Sequence, residues 1–274
     1  MMGSADVPAR KRGRPPTAGS EPGGEVQSLD RAISILDVLA SADGLPLSEV
    51  GRRLSLPTST LHRLVTTLEK RELVKHDAQS GLWSVGVGLF RMGSSYLRTR
   101  KLPEIGLPIL RQLNASLNET VNLSLLEGRE VVCVAQVESH EPVRAFFRLG
   151  ARMPVHASGA GKALLAASAE RKQDEWLESL DLKRFTDRTY TKMAGLRADL
   201  QRTAQRGFAV DDEEHAVGMR CAAAVIFNEY ANPVGAVSIS APTIRLPLER
   251  LDDLGERVRE AAAQLTALYT GVKP

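Results

Sequence analysis

The chain has 274 residues, long for one ordinary domain and comfortable for two. Hydrophobic residues at 43% and charged residues at 25% are the balance of a globular protein and argue against a mostly disordered one. The net charge of +3 hides an asymmetry: residues 1–100 hold 14 Lys and Arg against 10 Asp and Glu, and residues 101–274 hold 22 against 23.

No apolar run approaches the roughly 20 residues that a membrane-spanning helix needs. The basic residues at the N-terminus are followed by Pro15, Pro16 and glycines instead of an apolar core, so the segment does not read as a secretory signal. The two cysteines, Cys133 and Cys221, form no CxxC knuckle and suit a reducing compartment. A cytoplasmic protein with no membrane partner and no cofactor is the expectation.

Residues 1–26 are rich in Gly, Pro and Ser and are expected to be a disordered basic tail. Within them Lys11-Arg12-Gly13-Arg14-Pro15 resembles an AT-hook, whose Arg12 and Arg14 would fit a narrow minor groove; a plain basic tail is the alternative. Residues 27–86 read as one domain. Leu29, Ala32, Ile33, Leu36 and Leu39 recur at helical spacing after Ser28, a candidate N-cap. A second helix spans about 47–54. Past Pro57, Thr58 or Ser59 is placed to cap a third, with Leu61, Leu64, Val65 and Leu68 inside. Leu73 and Val74, a turn at 77–81, and residues 82–85 read as a hairpin. Three helices and a hairpin, with a tight turn between helices two and three, describe a winged helix-turn-helix.

On the third helix Thr58, Ser59, Thr60, His62 and Arg63 lie off the apolar stripe. Thr60 and His62 are candidates for base edges; Arg53, Arg63 and the hydroxyls of Thr58 and Ser59 are candidates for phosphates. An exposed polar residue with no partner is an equal reading of His62 alone. Double-stranded operator DNA is the expected partner.

Residues 87–102 read as a linker helix ended by Pro103, and 103–274 as an α+β domain. Strands are expected at 121–126, 131–137, 143–149, 208–210, 221–227 and 234–240, and helices near 104–117, 159–167, 174–180 and 196–206 and over the last 25 residues. The turn at 228–233 favours antiparallel pairing of the late strands. Ser158 is placed to cap a helix whose first turn is Gly159, Ala160 and Gly161, three small residues that leave backbone N–H groups open to an anion. A phosphate-binding P-loop would need Gly at His156 and Ser or Thr at Ala163, so this is not one.

Two stretches closely resemble the effector-domain signatures of the IclR family of bacterial transcriptional regulators: Leu149-Gly-Ala-Arg-Met-Pro-Val-His-Ala-Ser-Gly-Ala-Gly-Lys-Ala-Leu-Leu-Ala166, and Gly207-Phe-Ala-Val-Asp-Asp-Glu-Glu-His215 with Gly218-Met-Arg-Cys-Ala-Ala223. The helix-turn-helix text from Leu47 to Leu64 is similar to that family too. The resemblance covers about residues 26–272. It implies a winged helix-turn-helix, a linker helix and a GAF-like, mostly antiparallel effector-binding domain with flanking helices, in homodimers paired into tetramers. The wording is nearest to members sensing small carboxylates such as glyoxylate and pyruvate, and relatives sensing aromatic or sugar-derived acids share much of it. It also implies Gly159, Ala160, Asp211, Cys221, Ser238 and Ser240 at the ligand, with Met153 and Met219 as its apolar wall. Asp211 beside an anion makes sense if it accepts a hydrogen bond from a ligand hydroxyl; a turn cap is an equal reading.

Two other readings compete. A hydrolase-like site would join His156 and Ser158 with Asp211, His215 and Cys221, but Gly-x-Ser-x-Gly is absent. A metal site would use His156, Asp211, Glu213, Glu214 and His215; a solvated acidic turn is the plainer reading of that run.

Overall fold

The computed structural model describes residues 26–98, 101–128, 130–145 and 147–271, and the chain divides into two compact units between Ser95 and Tyr96. In the first, helices α1 (Gln27–Ala40), α2 (Leu47–Leu54) and α3 (Thr58–Lys70) bury Ile35, Leu39, Val50, Leu61, Val65 and Leu68 together. Each such side chain contributes about 1.5–3 kcal/mol when fully buried. Ser55 adopts a left-handed φ of 51° to end α2, and Leu56 N–H returns to the Gly51 carbonyl at 3.0 Å. Strands β1 (Leu45–Pro46), β2 (Val74–His76) and β3 (Leu82–Val85) form an antiparallel sheet in the order β1-β3-β2. Its hairpin turn is held by Asp77, which accepts from Gln79 N–H at 3.0 Å and from the Ser80 hydroxyl at 2.6 Å. The winged helix-turn-helix is as the sequence predicts.

Two helix starts differ from expectation. Ser28 falls inside the first turn of α1, behind Val26. Pro57 occupies the N-cap position of α3, so neither Thr58 nor Ser59 caps it and both hydroxyls face outward. The linker helix differs as well. Helix α4 (Val87–Arg98) is followed by α5 (Lys101–Leu117), and Pro103 is the third residue of α5. A proline in a first helical turn forfeits no intrahelical bond, so it opens the second unit instead of closing the linker.

The second unit is an antiparallel six-stranded sheet in the order β6-β5-β4-β9-β8-β7, made of β4 (Thr120–Glu127), β5 (Glu130–Val137), β6 (Arg152–Met153), β7 (Ala209–Asp212), β8 (Met219–Phe227) and β9 (Pro233–Pro242). Side chains alternate between its faces. One face (Val121, Leu123, Ala222, Ile226, Val237, Ile239) packs on α5 and α9 (Leu251–Thr270). The other (Val131, Ala223, Ala236) packs under α6 (Gly159–Ala166) and α8 (Met193–Arg206), with Trp176 and Leu177 of α7 (Glu170–Glu178) in the same core. The strand expected at 143–149 is a loop. Among its described apolar residues Val143 and Leu149 are exposed, Phe147 is half-buried and Ala145 is buried, which is not one buried face. The loop is pinned by the Thr120 hydroxyl on the Ala145 carbonyl (2.8 Å) instead of by a ladder. Helix α7 begins four residues before the expected 174–180, and strand β7 ends at Asp212, two residues past the expected 208–210.

Candidate functional site

Thr58, Ser59, His62 and Arg63 of α3 are exposed at positions i, i+1, i+4 and i+5, a single outward helix face that Thr66 extends. Thr60 is half-buried and sits at the edge of that face. Arg53 is exposed, but its Nε bonds Glu49 at 2.8 Å, and Arg52 bonds the same carboxylate at 2.9 and 2.7 Å. Hydrogen bonds from Arg52 and then Arg53 hold the Glu49 carboxyl down to about 2. A phosphate at Arg53 therefore competes with Glu49, whereas Arg63 has no acidic neighbour at salt-bridge distance among the described residues. Arg12 and Arg14 lie outside the described residues.

In the second unit the strand register lines up one row of side chains across four strands: Asp211 on β7, Cys221 on β8, Ser240 on β9 and Thr120 on β4. The next row on this face carries Ala223, Ser238, Asn122 and Gln136, and the one after it Val225, Ala236, Ser124 and Cys133. A face under helices is thus polar along its middle. The register fixes Cys221 opposite Ser240. Ser124 Oγ is buried with no hydrogen-bond partner, and Ser240 Oγ, also buried, makes no bond of ordinary geometry beside the Cys221 thiol. Buried hydroxyls are normally paired, so Ser124 Oγ has hydrogen-bonding capacity to spare on this face.

Helix α6 begins over these rows. Ser158 caps it as predicted, its Oγ accepting from Gly161 N–H at 3.1 Å and donating to the Pro154 carbonyl at 2.7 Å. A Cβ on Gly159 would lie 2.9 Å from Cys221 Sγ, so the first turn rests directly on the row. The N–H groups of Gly159 and Ala160 have no intrahelical acceptor, and the helix dipole favours negative charge there. Met219 lies one same-face position beyond Cys221. Met153 stands on the far strand β6 beside Val131 and packs with the apolar cluster of α6, so the structure does not bring it into the row.

Asp211 serves as a turn cap: its Oδ1 accepts from Glu214 N–H at 2.7 Å and His215 N–H at 3.4 Å. Burial lifts its carboxyl to about 6, against the pull of Lys162 and those two N–H groups. The acidic run is not a solvated turn. Glu214 is buried, and its carboxylate and Asp199 Oδ2 (2.7 Å) both meet the ammonium of Lys162, which is 0% exposed. Burial works against that ammonium, but the two carboxylates outweigh it and it stays charged. Burial lifts Glu214 to about 7. Asp212 and Arg220 pair at 2.5 Å. Burial also pushes Cys221 up to about 12, which keeps its thiol neutral.

Lys162, Asp199, Asn122 and Ser124 were not among the expected site residues, and Glu214 was one only in the metal reading. The signal for Asn122 and Ser124 was the alternation of Thr120, Asn122 and Ser124 with Val121, Leu123 and Leu125. For Lys162 it was a lone cation in an otherwise apolar helix. The hydrolase-like arrangement does not form. The Ser158 hydroxyl is occupied on both sides by backbone, and His156 Nε2 bonds the Lys183 carbonyl at 3.0 Å. Among the described residues no group of His, Cys, Asp and Glu is placed to hold a metal, and no helix is long and apolar enough to cross a membrane.

Comparison with known proteins agrees with the fold of both units. Residues 28–78 match the IclR helix-turn-helix domain, and residues 94–267 match the C-terminal domain of bacterial transcriptional regulators of the IclR type. The chain is 42% identical to the HTH-type transcriptional regulator BhcR of Paracoccus denitrificans over 95% of each protein. It is 40% identical to the acetate operon repressor of Salmonella typhimurium, over 98% of this chain and 99% of that one. Among solved structures, an IclR homolog from Microbacterium hydrocarbonoxydans complexed with 4-hydroxybenzoate superposes with a TM-score of 0.73 at 27% identity, over 88% of this chain and 98% of that chain.

Proposed function

The chain belongs to the IclR family of bacterial transcriptional regulators, and from that premise we propose that it is a cytoplasmic repressor controlled by a small carboxylate such as glyoxylate or pyruvate. It is a DNA-binding regulator with a ligand-binding C-terminal domain. The proposal adds the residues and the ligand. On DNA, α3 lies in the major groove, with His62 at base edges, Thr60 behind it, and Arg63, Arg53, Thr58 and Ser59 on phosphates. Arg12 and Arg14 add a minor-groove or phosphate contact from the tail.

The effector's carboxylate sits at the N–H groups of Gly159 and Ala160. Its remaining polar atoms meet Ser238, Ser240 and Asp211, beside the neutral thiol of Cys221, and Met219 borders them; Met153 contributes from the adjoining apolar cluster. The observation that carries this reading is the row of polar side chains, Asp211, Cys221 and Ser240, on which the open N-terminal turn of α6 rests. Polar side chains in the rows favour a small, oxygen-rich acid over the aromatic acid of the Microbacterium homolog. The chain is expected to work as a homodimer, paired further into a tetramer. Supporting this are the exposed apolar residues Leu29 and Ile33 on α1 and Val87, Phe90 and Met92 on α4.

Ser240→Ala tests the site. The hydroxyl's side-chain neighbour is the weakly hydrogen-bonding Cys221 thiol, so losing the hydroxyl costs about 1 kcal/mol of stability or less. It is expected to weaken glyoxylate or pyruvate binding by about tenfold, one hydrogen bond's worth, measured by calorimetric titration. Unaltered affinity for the acid that binds would move the ligand off this row.

A further inference from the structure

Three buried carboxyls and one buried ammonium meet at the end of the proposed effector site. Lys162 on α6 is paired with Asp199 on α8 and Glu214 on the turn after β7, and Asp211 Oδ1 holds the N–H of Glu214 itself. From outside, Arg202 reaches Asp199 at 3.0 Å, which balances the charges of Lys162, Arg202, Asp199 and Glu214. The neighbouring acids have their own partners: Asp212 binds Arg220 and Arg188, and Glu213 lies within 4 Å of both arginines. Facing Asp211 across the row is the neutral thiol of Cys221. Among the described residues Asp211 is thus the carboxylate of this group with no ion-pair partner of its own, and Glu214 Oε2 is buried with no hydrogen-bond partner. The effector's own carboxylate would be one more anion against this group.

Resting on the effector reading above, we propose that binding of the small carboxylate takes up about one proton, held by the Asp211–Glu214 carboxyl pair beside it. A like charge placed next to a buried carboxyl disfavours its ionised form. The pair titrates as a unit, so the proton belongs to both groups. A simple α-keto acid is already fully ionised above pH 6 and contributes no proton of its own. The protein therefore binds its effector more tightly as the medium acidifies, and the readout becomes a joint one of acid concentration and pH.

His215 and His156 are the other groups able to charge nearby, and Tyr190 lies over Lys162 with its ring centre 5.1 Å from Nζ. Burial keeps His215 below the usual histidine range, with His156 adding to the effect. Calorimetric titration of the full chain with glyoxylate, and separately with pyruvate, at pH 7 in phosphate and in Tris buffer reads proton uptake from the difference in heats. The expected result is an uptake of about 0.5–1 proton and a Kd rising by up to about tenfold per pH unit between pH 6 and 8. Glu214→Gln, and separately Asp211→Asn, should remove most of the uptake, and His215→Asn should keep it. Equal heats in both buffers with a pH-independent Kd overturn the proposal alone. Uptake lost in His215→Asn but kept in both carboxamide variants assigns the proton to histidine and overturns it as well. Binding of neither acid at any pH overturns the small-carboxylate reading and this proposal with it.

Discussion

Gly161 accepts no side chain. A Cβ there would stand 2.4 Å from the Val155 carbonyl oxygen and 2.5 Å from its Cα, backbone that has nowhere to go. Gly161→Ala is expected to destabilise the second unit by about 1–3 kcal/mol or more, read by chemical denaturation. Gly159 is a gentler case, since its nearest obstacle is the Cys221 thiol at 2.9 Å. Titration gives a second prediction at this scale. Asp211 and Glu214 are lifted to about 6 and about 7, above their unfolded values. The folded state then binds more protons between about pH 4 and pH 7, so these two groups make stability fall as pH rises through that window. Asp211→Asn, which keeps an acceptor for Glu214 N–H, should flatten the fall by on the order of 1–3 kcal/mol between pH 4.5 and 7.5. An identical pH profile for variant and wild type would show that Asp211 is not held above its ordinary range.

At the scale of elements, α6 and α8 are tied by charge as well as by apolar packing. Lys162→Met removes the cation and leaves Asp199 and Glu214 facing each other in the core. The expected loss is about 3–5 kcal/mol at pH 7.5 and less at pH 5, where Glu214 is protonated. Helix α3 makes a separate prediction. Arg63→Ala should weaken binding to all duplexes and lower the salt slope by about 0.9, one phosphate contact, in fluorescence anisotropy across salt concentrations. An unaltered slope would remove Arg63 from the backbone contacts.

The helices and the wing were legible in the sequence, because periodicities of 3.6 and 2 are local properties that these residues keep after folding. So was the cap of α6, where Ser158 and three small residues state the geometry by themselves. The strand expected at 143–149 failed because apolar residues at strand spacing do not reveal whether a neighbouring strand is there to bury them. The end assigned to the linker failed at Pro103, since proline marks a helix start as readily as a stop. The ionic cluster was hidden because Lys162, Asp199 and Glu214 are brought together only by the tertiary packing of α6, α8 and the turn after β7. The same holds for Asn122 and Ser124, which join Ser238 and Ser240 only through the β4–β9 register.

For the whole molecule, the proposed function requires that two sites on two units answer to each other. An acid that changes affinity for DNA must have its own affinity changed by DNA in the same ratio, whichever route the coupling takes. A typical coupling of 1–3 kcal/mol corresponds to about a 5- to 150-fold change. The most direct test is the affinity of the full chain for the duplex upstream of its own gene, measured with and without millimolar glyoxylate or pyruvate. The account predicts a specific complex whose Kd shifts at least about fivefold with one of these acids in the wild type, and a Ser240→Ala variant that needs about tenfold more of the acid for the same shift. A specific complex indifferent to both acids would contradict the small-carboxylate control proposed here.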